Sequence, residues 1–185
     1  MPAWGIILII IGAVALLAVI WGVSTSNSLR RMQIKIKETL SGIDVALTKR
    51  YDVLTKMLDV TKAYAKHEKE TLFEVIKMRK GMTMSERNEA NAQMDAAMRQ
   101  INVVAENYPE LKSSENFKQL QVTILDVEEH LQASRRAYNA NVSTYNQAIV
   151  TFPKSIIAGM IGAKAEEFFE AEAAKRSDVK MDFNM

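Results

Sequence analysis

Cysteine is missing from all 185 residues, which excludes disulfides, thiol nucleophiles and Cys-ligated zinc. The compartment stays open, because a helical bundle on either side of a membrane needs no cysteine. Proline occurs three times, glycine seven times, and aromatics make up 7% of the chain. That is little turn material for a many-stranded fold, so long helices are expected. Charge of one sign is missing too: 24 basic side chains face 22 acidic ones. No broad field argues for nucleic acid or a polyanionic substrate, and any basic role must be local.

Catalytic patterns are equally scarce. Gly159-x-x-Gly162 lacks both a following Lys-Ser/Thr and a preceding strand, so it is no phosphate loop. No serine stands in a nucleophile-elbow pattern. A di-iron bundle would need Glu-x-x-His on two helices, but Tyr64 precedes His67 by three and Val127 precedes His130 by three. Both histidines, beside Glu128 and Glu129 in one case and within "KHEKE" in the other, read as solvated or capping residues. The sequence therefore supplies no catalytic, cofactor-binding or metal-binding residues, and no small-molecule substrate is evident.

What is present begins with residues 6–23, "IILIIIGAVALLAVIWGV", an uncharged run about as long as a bilayer core requires. Roughly a dozen of its residues are Ile, Leu or Val, which favours insertion by several kcal/mol at about 0.3–0.6 kcal/mol each. Trp4 and Trp21 lie near its ends, where indoles prefer the headgroup layer. A cleaved signal peptide fits less well: no Lys or Arg precedes the run, and no clear small-x-small site ends it. The expectation is a single-pass anchor over residues 1–27. Arg30, Arg31, Lys35 and Lys37 follow the span against Glu38 alone, which predicts a cytoplasmic bundle at the cell (inner) membrane with the N-terminus outside. The same cluster could touch anionic lipid.

Residues 28–176 read as the soluble domain and 177–185 as a flexible tail, with a possible docking of Val179, Met181 and Phe183. From 28 to 80 there is no Pro, and Leu40, Ile43, Leu47, Leu54, Leu58, Ala65, Leu72 and Ile76 recur at threes and fours, predicting one long amphipathic helix that Gly81 ends. Thr83-x-x-Glu86 has the spacing of a capping box and opens a second helix, with Met94, Met98, Ile101, Ala105 and Tyr108 on one face. Pro109 stops it, and "PELKSSEN" is expected to be a connection. The third helix should open after Ser113 or Ser114 and run to Phe152, where Pro153 closes it. A fourth, over "KSIIAGMIGAKAEEFFEAEAAKR", should fold back on the third, with Ile156, Ile157, Met160 and Ile161 as a surface for a partner or for self-association.

Along the third helix Phe117, Ile124, Leu131, Tyr138, Tyr145 and Phe152 fall at intervals of seven, with Leu120, Val127, Ser134, Asn141 and Ala148 at the complementary positions. The dipeptide Tyr138-Asn139 returns as Tyr145-Asn146 because both tyrosines belong to this seam. Its polar half, Ser134, Tyr138, Asn141 and Tyr145, either fixes register by bonding across helices or forms a polar pocket; without a base or ligand set, register is the stronger reading. In the first helix Asp44, Arg50, Tyr51 and Asp52 cluster. Asp44 and Arg50, six apart, cannot pair on one helix, whereas Lys49 or Arg50 could reach an acid on the facing third helix; an ion pair and a partner-recognition face both remain open.

Several strings, taken in order, resemble the LemA family of bacterial membrane proteins: "IDVALTKRYDVLTKML", "AYAKHEKETL", "YPELKSSENFKQLQ", "SRRAYNANVSTYN", "FPKSIIAGMIGAKAEEFFEAE" and a final "VKMDF". Leu54-Thr55-Lys56 lacks a Pro common in the family, and Ala163 stands where an aromatic usually follows the Gly. The resemblance implies a single-pass anchor carrying an elongated antiparallel helical bundle, with no established activity; some relatives are tied to organising internal membranes. The expectation is thus an all-α protein: a transmembrane helix, then an up-down bundle of about four helices. Its function would be that of a non-enzymatic scaffold partnered by the bilayer and by unidentified membrane proteins or itself, with no cofactor. A stress or envelope signalling module and, less well supported, a metal-dependent enzyme of the bundle core are the alternatives.

Overall fold

The computed structural model describes residues 3–64 and 81–169. These residues form five helices and no strand: α1 (Ala3–Tyr64), α2 (Met84–Asn107), α3 (Pro109–Ser113), α4 (Glu115–Val150) and α5 (Lys154–Met160). The fold class is all-α, an apolar N-terminal helix leading into a helical bundle. The expected continuation of the first helix to Lys80, His67, the stretch 170–176 and the tail at 177–185 lie outside the described residues.

Two compact units divide the chain, one of residues 3–39 with 137–167, the other of 40–64 and 81–136 with 168 and 169. In the first unit no residue of the apolar window of α1 is buried among the described residues, and every large hydrophobic from Trp4 to Val23 is exposed. Burial begins at Thr25 and Leu29 and continues at Ile36, where Tyr138, Val142, Tyr145 and Ala148 of α4 supply the rest of a narrow core. Leu29, Ile36, Ile43, Arg50 and Met57, all buried, are spaced by sevens along α1, so one face of the helix is a seam of coiled-coil periodicity.

In the second unit α1, α2 and α4 enclose Ile43, Leu47, Leu54, Met94, Ile101, Phe117, Ile124 and Leu131. Gly81 holds φ at 81°, a conformation glycine tolerates without strain. Two residues on, the capping box closes: Thr83 Oγ1 accepts from Glu86 N–H at 3.2 Å, and Glu86 Oε2 accepts from Thr83 N–H at 2.7 Å. Two of the free donors at the start of α2 are satisfied in this way. Tyr108, displaced from helical angles by the proline after it, ends α2 at φ −123° and ψ 86°.

Three expectations need correction. The "PELKSSEN" connection is partly helical, since Pro109 opens α3 and buries Leu111 completely; proline lacks only an N–H that a first helical residue would leave unpaired. The heptad does not hold to Phe152: α4 ends at Val150, so Phe152 lies in the turn beyond it and is 77% exposed. Finally, the fourth helix is short. Gly162 takes φ 66° and Ala163 N–H bonds Ala158 C=O at 2.9 Å, a glycine termination that stops α5 seven residues after it starts. The chain from 163 to 167 returns along α4 without helical hydrogen bonds of its own.

Candidate functional site

Two polar constellations stand out, one in each unit. In the first, Tyr138 and Asn146 bond the backbone of residues 166 and 167. Asn146 Nδ2 donates to Glu166 C=O and Asn146 Oδ1 accepts from Glu166 N–H, both at 2.9 Å. Tyr138 donates its hydroxyl to Glu167 C=O at 2.8 Å. The carboxamide supplies one donor and one acceptor in a plane, as a neighbouring strand would, so a segment without secondary structure keeps its backbone paired. Tyr145 Oη accepts from Gln33 Nε2 of α1 at 2.9 Å, and Asn141 Nδ2 reaches Thr39 Oγ1 at 3.5 Å. Burial raises the Tyr145 pKa above its ordinary 10.0; the Gln33 bond opposes this, and the charge of Glu166 adds to it.

In the second unit the polar groups are charged. Arg50 occupies the α1 seam and is only 3% exposed. Its guanidinium donates to Asn91 Oδ1 at 2.7 Å, pairs with Asp95, and lies 2.5 Å from Glu128 of α4. Arg87 of α2 is also buried; it donates to both carboxylate oxygens of Asp44, at 2.6 and 2.9 Å, and to Met82 C=O. A buried guanidinium is stabilised as its donors meet acceptors, and its planar fork allows several at once; in Arg50 the Nη groups do so, while Nε is buried without a partner. Of the cluster expected in α1, then, Asp44 and Arg50 are both interhelical ion-pair members, each with its own partners. Arg135 stacks 4.8 Å from the ring centroid of the buried Phe169.

Among the residues singled out in the sequence, Ser134 is half-buried, its Oγ 3.5 Å from where a Cβ on Gly42 would stand. Tyr138, Asn141 and Tyr145 gather at the α1 and α4 contact described above. Trp4, Trp21, Arg30, Arg31, Lys35 and Lys37 are exposed on α1, with Lys35 paired to Glu38 at 3.2 Å. Ile156, Met160 and Ile161 are exposed on and after α5, whereas Ile157 is half-buried against α1 at Gly22. Asn91, Asp95 and Arg87 were not foreseen. The seven-residue spacing that places Arg50 in line with Ile43 and Met57 was the available signal. Among the described residues no group of three His, Asp or Glu side chains is placed to hold a metal ion.

The polar groups of both constellations are thus turned toward other parts of the same chain. Comparison with known proteins gives the arrangement a setting: the family model described as "LemA family" matches residues 39–183. The chain belongs to the LemA family. It is 30% identical over 162 residues to Protein LemA of Metamycoplasma hominis, covering 85% of this chain and 74% of that protein. A shorter stretch of 78 residues is 30% identical to magnetosome protein MamQ of Magnetospirillum gryphiswaldense, and MamQ 2 of Paramagnetospirillum magneticum matches at 31%. Those two alignments span 42% of this chain and 29% of each MamQ protein. The LemA family match includes Arg50, Arg87, Tyr138, Tyr145 and Asn146, and leaves out Gln33, the α1 partner of Tyr145.

Proposed function

We propose that this LemA-family chain is a membrane-anchored, non-enzymatic scaffold whose helical bundle holds other membrane proteins, or further copies of itself, at the cytoplasmic face of the cell membrane. One observation carries the reading: the apolar window of α1 has none of its residues buried, and the same unbroken helix then enters the bundle core at Thr25 and Leu29. A side-chain surface that apolar is costly in water and stable in hydrocarbon. The matches to LemA and MamQ proteins support a membrane-associated role. Arg30, Arg31, Lys35 and Lys37, directly after the span, support the cytoplasmic side for the bundle.

Proximity labelling in the native cell tests it, using the full chain beside a version whose residues 6–23 are replaced by a water-soluble helical sequence. The scaffold reading expects a reproducible set of labelled membrane proteins, or of other copies, that is lost with the span. Equal labelling by both forms overturns it, as does substrate turnover by the purified full chain that one side-chain change abolishes. Tags at the two ends, probed for protease access in sealed cells, test the orientation.

A further inference from the structure

α5 matters through its position. Within the first unit α4 and its turn follow α1 toward the apolar end: Asn141 meets Thr39, Tyr145 meets Gln33, and Ile157 Cδ1 lies 3.5 Å from where a Cβ on Gly22 would stand. From Gln33 to Gly22 is about 16 Å along α1 at 1.5 Å per residue. That distance ends in the last turn of the uncharged run, beside Trp21. The turn between α4 and α5 therefore sits at the border where the lipid-facing helix emerges.

What the turn displays there is apolar. Val150, Phe152 and Met160 are 74%, 77% and 78% exposed, and Ile156 and Ile161 are exposed as well. The charges around them share one sign. Across residues 20–34 and 148–165 the charged side chains are Arg30, Arg31, Lys154 and Lys164, all exposed, and the first acids beyond are Glu38 and Glu166. Apolar side chains flanked by cations, with no acid among them, suit the boundary between acyl chains and anionic headgroups.

We propose that the turn joining α4 and α5 is a second membrane contact, in which Phe152, Ile156, Met160 and Ile161 enter the headgroup layer beside the span and Lys154 meets anionic headgroups. This rests on residues 6–23 crossing the bilayer. The lipid surface is favoured over a protein partner because the patch is continuous with the exposed apolar face of α1 through the Gly22 and Ile157 contact. The contact fixes the rotation of α1 about its own axis, since α5 must stay on the side where it reaches lipid.

The chain has no cysteine, so single reporters can be introduced cleanly. F152C and M160C at the turn, V14C in the span and Q119C on the exposed face of α4 each carry a nitrobenzoxadiazole fluorophore in the full-length protein, reconstituted at low density in equal mixtures of phosphatidylglycerol and phosphatidylcholine. Nitroxide lipids quench either near the headgroup or deep in the chains. F152C and M160C are expected to lose most of their emission to the headgroup-proximal nitroxide, V14C to the deep one, and Q119C to neither; adding K154E weakens quenching at the turn and leaves V14C unchanged. If V14C is quenched while F152C and M160C behave as Q119C does, the turn proposal alone is overturned. If V14C escapes the deep nitroxide, the spanning reading falls and the proposal with it. A disulfide between unlabelled M160C copies, together with absent lipid quenching at F152C, would assign the face to self-association instead.

Discussion

Asn146 and Glu166 hold each other by two hydrogen bonds of 2.9 Å, one from the asparagine amide to the glutamate carbonyl and one from the glutamate N–H to the asparagine oxygen. A side chain of a regular helix thereby supplies the backbone pairing of a segment that has none. Asn146→Ala is expected to strand both groups of Glu166 and to cost about 1–3 kcal/mol of unfolding free energy. Amide exchange at Glu166 should accelerate in the variant while exchange in α2 stays as it was, which denaturant melts and hydrogen exchange together would show.

The Arg50 cluster predicts an asymmetry. Asp95 and Glu128 are 19% and 30% exposed, so each reaches water if the arginine is lost, whereas Arg50 at 3% does not. Removing both acids as D95A/E128A should therefore cost about 3–5 kcal/mol, the cost of leaving a buried charge unpaired. Arg50→Met, which keeps the stem volume and removes the charge, should cost about 1–2 kcal/mol. Urea titrations of the three proteins give the order directly, and a larger loss in Arg50→Met would contradict it.

At the start of α2, Thr83→Ala removes the acceptor for Glu86 N–H. The expected loss is about 1 kcal/mol, with Thr83→Ser close to the parent, as thermal melts would report.

Tyr145 gives the fold an alkaline limit. Its pKa is raised above 10.0, chiefly by burial, so above that pH the unfolded chain releases a proton that the folded chain retains. Its stabilising contribution is complete below about pH 10 and declines as pH rises from there through the higher folded value. Subtracting the Tyr145→Phe stability profile from the parent's isolates this dependence. The difference should be flat at neutral pH and fall in the alkaline range; a difference that changes only below neutrality would contradict the assignment.

Periodicity and end signals carried much of this architecture. The seven-residue pattern from Phe117 to Tyr145 is buried as the spacing requires, and Thr83 with Glu86 caps α2 as their separation implies. Where the reading failed, the deciding contacts are long-range. Phe152 continues the heptad on paper, but a pattern of residue types does not say that the helix stops at Val150. Residues 163–169 include Ala163, Ala165, Glu166 and Glu167, good helix formers, yet they run without helix where Asn146 and Tyr138 bind their backbone; tertiary hydrogen bonds override local propensity there. Arg50 does reach an acid on the facing helix, Glu128, as its place on α1 allowed; that it is buried was countable from its place in the seam from Leu29 onward, whereas its α2 partners Asn91 and Asp95 were not.

Membrane attachment through α1 is the claim on which the account most depends. Membranes from cells making the full-length chain, washed first with concentrated salt and then with alkaline carbonate, test it directly. The chain should stay in the membrane pellet through both washes and enter solution only with detergent. Release of the intact protein by either wash would show that residues 6–23 do not cross the bilayer.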